Sequence, residues 1–139
     1  MAHTVKDVMT SSPIVLEARR PIEEAATAMR DRDIGSVIVV RGDEICGIVT
    51  DRDITVRVVA EGKDPAKTPL SQICSKELTT ATPDLSLDDA VRMMRDKAVR
   101  RIPVVEGGKP VGILSLGDLA LEKDRESALA TISAEPANH

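Results

Sequence analysis

Two short stretches hold the side chains whose types and spacing could do chemistry. Gly47-Ile48-Val49-Thr50-Asp51-Arg52-Asp53 and Gly112-Ile113-Leu114-Ser115-Leu116-Gly117-Asp118 each run from an apolar strand into a hydroxyl residue, with a carboxylate three positions later. That hydroxyl-x-x-carboxylate spacing is the signature of a helix start. A strand that ends where a helix begins leaves backbone N–H groups aimed at one spot, and such a spot suits a phosphate. The same spacing also describes a capping box that serves only the helix. The two readings are compatible, because a capped helix start can face a ligand.

Catalysis finds little support. His3 and His139 stand at the chain ends with no partner spacing for a metal or a triad, and no activated nucleophile is in view. The paired Asp51/Asp53 and Asp88/Asp89 read as helix-start acids, not as an acid/base couple. The expectation is therefore no enzyme and no metal site. Cys46 and Cys74 lack a CxxC spacing and read as buried thiols of a reducing compartment. A net charge of −4 disfavours long-range attraction to nucleic acid or an acidic membrane. The chain has no Phe, Tyr or Trp, so a bound base must lie between aliphatic side chains. Platforms for single-stranded nucleic acid normally stack bases on rings. The start, Met1-Ala2-His3-Thr4-Val5-Lys6-Asp7, turns polar at once, and no apolar run approaches the ~20 residues of a membrane span. A cytoplasmic protein is expected.

The elements that must position these stretches come in duplicate. Gly47 aligns with Gly112, an offset of 65 residues, and the same offset pairs Met29-Arg30-Asp31 with Met94-Arg95-Asp96, Val39-Val40 with Val104-Val105, and Asp53 with Asp118. This marks a tandem duplication from residues 5–54 to 70–119. Each unit opens with a short amphipathic turn (Val5, Val8, Met9; then Leu70, Ile73, Cys74) and a brief extended piece. A helix follows, with Pro21 at its first position and Ile22, Ala25, Ala26 and Met29 on one face. Its counterpart has Ser86 as N-cap and Leu87, Ala90, Val91 and Met94 on the face. Both methionines read as core. Two strands then turn through Gly42 or Gly107-Gly108, and a last helix leaves each unit, over residues 51–60 and 116–132. The division expected is 5–60 and 70–132 for the units, with a polar linker at 61–69 and a disordered tail at 133–139.

The duplicated strand–helix–strand–strand–helix order, with G-h-x-(T/S)-x-x-D closing each second hairpin, resembles the CBS domain family over most of the chain. The stretch Val99-Arg100-Arg101-Ile102-Pro103-Val104-Val105 is similar to the strand the family places before its hairpin. The resemblance implies an α+β fold in which two β-α-β-β-α units pack sheet to sheet with pseudo-two-fold symmetry. It implies a regulatory module binding AMP, ADP, ATP or S-adenosylmethionine between the units, a homodimer, and an effector protein that reads the bound state. Carried over residue by residue, it puts the ribose on Asp118 and the phosphate on Ser115 with Arg100 or Arg101. Ile102 and Pro103 would wall the adenine, and backbone groups of residues 80–86 or 16–20 would complete the pocket. The first unit keeps Thr50 and Asp53 but has Gly35-Ser36 where the second has Arg100-Arg101, leaving Arg52 as the nearest cation. One good site, organised by the second unit, and one weak or empty site are expected. The alternative is a dimerisation adaptor that binds no ligand.

Overall fold

The computed structural model describes residues 3–74 and 79–122, and the tail expected at 133–139 lies outside them. The chain opens with a short helix α1 (Val5–Val8) and strand β1 (Thr10–Ser11). The first unit then runs β2 (Val15–Glu17), α2 (Ile22–Arg32), β3 (Ser36–Arg41), β4 (Glu44–Thr50) and α3 (Asp51–Ile54). Helix α3 loosens into a π turn over Thr55–Val59, where the sequence suggests one regular helix. A 3-10 turn at Leu70–Gln72 leads to the second unit, α4 (Leu87–Lys97), β5 (Arg101–Glu106) and β6 (Lys109–Ser115), followed by α5 at residues 116–122.

Both long helices obey the expected signals, with one displacement. Ser86 caps α4 by accepting from the Asp89 N–H at 3.1 Å. Pro21 is the N-cap of α2 and not its first residue, because its extended backbone bridges Pro69. Asp33 and Ala98 end the two helices in the left-handed conformation.

The 65-residue offset survives in the hydrogen-bond register. Strand β2 runs parallel to β3 with Leu16 opposite Val39, and Ala81 lies opposite Val104 in a single parallel bridge. Each hairpin carries a bulge at the same place, after Val39 and after Val104. Alternation along the strands sends Val37, Val39 and Val49 into one core with Ile22, Ala25 and Met29. Ile102, Val104 and Leu114 enter a second core with Ala90 and Met94. Ile38, Ile48, Pro103 and Ile113 occupy the other faces. They are buried, yet the three isoleucines and Pro103 belong to neither core. They fill the seam where β4 lies against β5, so the two sheets face each other across a pseudo-two-fold axis.

The opening turns are exchanged between units. The Val5 N–H donates to the Leu85 carbonyl and the Lys6 N–H to Pro83, both at 2.9 Å, while Thr10 and Ser11 pair antiparallel with Ile113 and Gly112. Val5 is fully buried in the second core. Reciprocally, the Leu70 N–H donates to Arg20 and the Ser71 N–H to Ala18, again at 2.9 Å, and Leu70, Ile73 and Cys74 complete the first core. Glycine at 112 is what lets the chain cross there: a Cβ would stand 2.9 Å from the Thr10 carbonyl oxygen and closer still to Met9 Sδ.

Helix α1 is fastened by Asp7, whose carboxylate accepts from the His3 and Thr4 N–H groups at 3.0 and 3.1 Å. These two bonds, His3 foremost, hold the Asp7 carboxyl below its ordinary value. A depressed folded value means the fastening is complete above the usual aspartate range and is lost as pH falls through the folded value. Amide exchange at His3 and Thr4 is thus expected to accelerate beyond its intrinsic trend as pH falls below about 4. Asp7→Asn should remove that pH dependence.

Candidate functional site

The two helix starts share one spacing but resolve it differently. At α3 the box is closed: Asp53 N–H donates to Thr50 Oγ1 at 3.0 Å, and Thr50 N–H donates back to Asp53 Oδ2 at 2.9 Å. At α5 only half of it forms, the Asp118 N–H donating to Ser115 Oγ at 3.0 Å. Among the described residues the Asp118 carboxylate makes no hydrogen bond or ion pair of its own. It is half-buried and lines a cavity of about 380 Å³.

That cavity is built from both units. The second supplies Arg101, Ile113, Ser115 and Asp118. The first supplies the segment 10–14 after α1 and the segment 32–36 between α2 and β3. Ile14, Ile34, Ile113 and Pro13 are its apolar members, and Ser11, Ser12 and Ser36 add hydroxyls. A second, wider cleft of about 730 Å³ lies between the starts of α3 and α5. It is lined by Thr50, Asp51, Arg52 and Asp53 from the first unit and by Val99, Arg100, Arg101 and Leu116 from the second. The offset of 65 maps Ile34, Ser36, Ile113, Ser115 and Asp118 of the first cleft onto Val99, Arg101, Ile48, Thr50 and Asp53 of the second. Each cleft therefore combines the helix start of one unit with the segment before the first hairpin strand of the other.

Asp118, Ser115 and Arg101 come together in the first cleft, while Arg100, Arg52, Thr50 and Asp53 come together in the second. Ile102 lies in neither: it is fully buried in the second core. Pro103, its neighbour on β5, faces the opposite way and is buried opposite Ile113 in the seam. Residues 16–20 do not reach either cleft. Leu16, Glu17 and Arg20 line an open groove on the outside, between β2 and α2. Residues 80–86 line neither cleft. The apolar wall formed by Ile14 and Ile34 had no motif of its own to announce it. The offset alone pointed there, since Ile34 stands where the second unit has Val99.

Arg101 sits between the clefts. Its Nη1 donates to the Gly35 carbonyl at 3.2 Å and lies 3.8 Å from Asp51 Oδ1, so it ties the units together. Its Nη2 is 2.9 Å from where a Cβ on residue 35 would stand, so only glycine admits the guanidinium this close. Chemically, the first cleft offers a charge-bearing acceptor, a hydroxyl, a guanidinium and an aliphatic slot. Such a set can hold a sugar diol, an anionic group and a flat base. Among the described residues no group of three or more His, Cys, Asp and Glu is placed to hold a metal ion.

Two βαββα units that exchange their opening turns and face each other across a pair of helix-start clefts define a tandem regulatory pair. The chain belongs to the CBS-domain family: the model of the CBS domain matches residues 5–60 and again 70–123. It is 39% identical over 134 residues to the CBS domain-containing protein YhcV of Bacillus subtilis, covering 94% of this chain and 95% of that one. Among solved structures, the CBS domain pair of protein MJ0100, in complex with 5′-methylthioadenosine and S-adenosyl-L-methionine, superposes with a TM-score of 0.78. The two are 25% identical, and the match covers 88% of this chain and 97% of that one. The hexameric CBS-CP12 protein from bloom-forming cyanobacteria gives 0.79 at 25% identity, covering 96% and 90%. No helix among the described residues is long and apolar enough to cross a membrane.

Proposed function

We propose that this chain is a non-enzymatic sensor of adenosine ligands, which binds AMP, ADP, ATP or S-adenosylmethionine in the clefts between its units and passes the bound state to a partner protein. The observation that carries the reading is the Asp118 carboxylate, which lines a cavity and is left unused by its own helix cap. Two vicinal ribose hydroxyls can donate to it, while Ser115 Oγ and the Arg101 guanidinium lie in the same cavity for a 5′ phosphate or the tail of a sulfonium. Ile14, Ile34 and Ile113 take the base without an aromatic ring. The complex of MJ0100 with 5′-methylthioadenosine and S-adenosyl-L-methionine supports the ligand class. A ligand gripped by both units favours one arrangement of the seam over others, which is what a sensor requires.

Exposed apolar side chains on the π turn and on α5 support a homodimer as the sensing unit. Val56 and Val59 on the π turn, with Leu116 and Leu121 on α5, leave apolar side chains between 45% and 68% exposed. The same four residues would serve a ligand-free dimerisation adaptor, and one experiment separates the two. Saturating adenosine compound is expected to raise the unfolding temperature, by an amount equivalent to about 2.7 kcal/mol at a hundredfold excess over Kd. It is also expected to alter the small-angle scattering profile. No change in either measurement with any of the four compounds would leave only the adaptor.

A further inference from the structure

Arg101 and Ser115 line both clefts, and only Arg101 carries charge. We propose that Arg101 sets the two clefts against each other, so that a phosphate held in one weakens phosphate binding in the other. The inference rests on the adenosine reading above and adds a rule of occupancy to it.

One edge of the guanidinium is already engaged with the Gly35 carbonyl and faces Asp51. Its Nη2 lies close to Gly35, 2.9 Å from where a Cβ would stand there. A guanidinium grips a phosphate through one edge of its fork, with two parallel N–H donors. Arg101 thus has one charge and one remaining grip to offer, at the boundary of two cavities. Drawing it toward the Asp118 cleft leaves the Thr50 and Asp53 cleft with Arg52 and Arg100 facing the carboxylates of Asp51 and Asp53. Drawing it the other way leaves the Asp118 cleft with Arg32, which adjoins Asp33 in the sequence. Two phosphates close to a single shared cation also repel each other. A ligand without phosphate makes no demand on Arg101 and carries no such coupling.

The test is calorimetric titration with ADP and with 5′-methylthioadenosine. In Asp118→Asn, whose first cleft is disabled, the remaining ADP site is expected to bind about tenfold tighter than the weaker ADP site of the unaltered chain. Adding Arg101→Gln should abolish that gain, and for 5′-methylthioadenosine Asp118→Asn should bring no such gain at the remaining site. Equal affinity of the second ADP site with and without Asp118→Asn overturns the coupling and leaves the sensor intact. So does a gain that survives Arg101→Gln. Failure of ADP to bind the unaltered chain overturns the coupling, whereas the sensor falls only if all four compounds fail in the experiment above.

Discussion

Asp118→Ala is expected to weaken binding of adenosine compounds in its own cleft about 100-fold while changing the unfolding free energy by less than about 0.5 kcal/mol. The reason is the half-formed cap. Ser115 Oγ accepts from the backbone N–H of residue 118, which alanine retains, and the Asp118 carboxylate holds nothing else among the described residues. Losing it removes only the hydrogen bonds that a ribose would donate, each worth roughly 1.5–3 kcal/mol to a charged acceptor. Asp53→Ala should behave in the opposite manner. There the carboxylate accepts from the Thr50 N–H, so its loss opens a capping box and costs about 1 kcal/mol of stability. Urea denaturation and calorimetric titration of the two variants side by side check the pair. If Asp118→Ala destabilised the chain as much as Asp53→Ala and left ligand response untouched, Asp118 would be a helix cap and nothing more.

The second large effect concerns stability. Leu70→Ala is expected to lower the unfolding free energy by about 3 kcal/mol and the unfolding temperature by roughly 10 °C, because the side chain is fully buried. The location of the damage is the sharper readout. Leu70 begins the second repeat, yet it packs among Ile22, Val37 and Val49 of the first. Hydrogen exchange should therefore quicken first along α2 and β3, with α4 and β5 following. Val5→Ala should show the mirror image, loosening α4 and β5 first at a cost of about 2 kcal/mol. Exchange that quickens first within each residue's own repeat would contradict the exchanged packing.

Much of this architecture was legible in the chain, and the reason is repetition. The offset of 65 marked the hairpins and the two core faces, because apolar faces and turn glycines occur twice and agree, while the bulges came only with the structure. The same repetition hid the exchange. A periodic pattern is satisfied equally when Val5 packs on its own unit or on the other, since Leu85 and Arg20 are equivalent by the offset. The clefts were obscured for the same reason. Arg100 adjoins Asp118's unit in sequence but is delivered to the cleft of Thr50 and Asp53. Ile102 and Pro103 illustrate a different limit. Neighbours on a strand point to opposite faces, so they could never have formed one wall, and the buried core claimed Ile102. Nor could the spacing tell Asp53 from Asp118: both sit three residues beyond a hydroxyl, and only the folded chain shows which carboxylate its cap consumes.

The reciprocal trade of opening turns has a consequence for how such a chain could have arisen. A lone repeat carries a segment it cannot use itself and lacks one it needs, so its smallest closed form is a pair of identical copies. Joining two copies end to end made that obligatory encounter intramolecular and freed it from concentration. Once fused, the halves were at liberty to diverge, and the closed box at Asp53 beside the open one at Asp118 is the trace of that freedom.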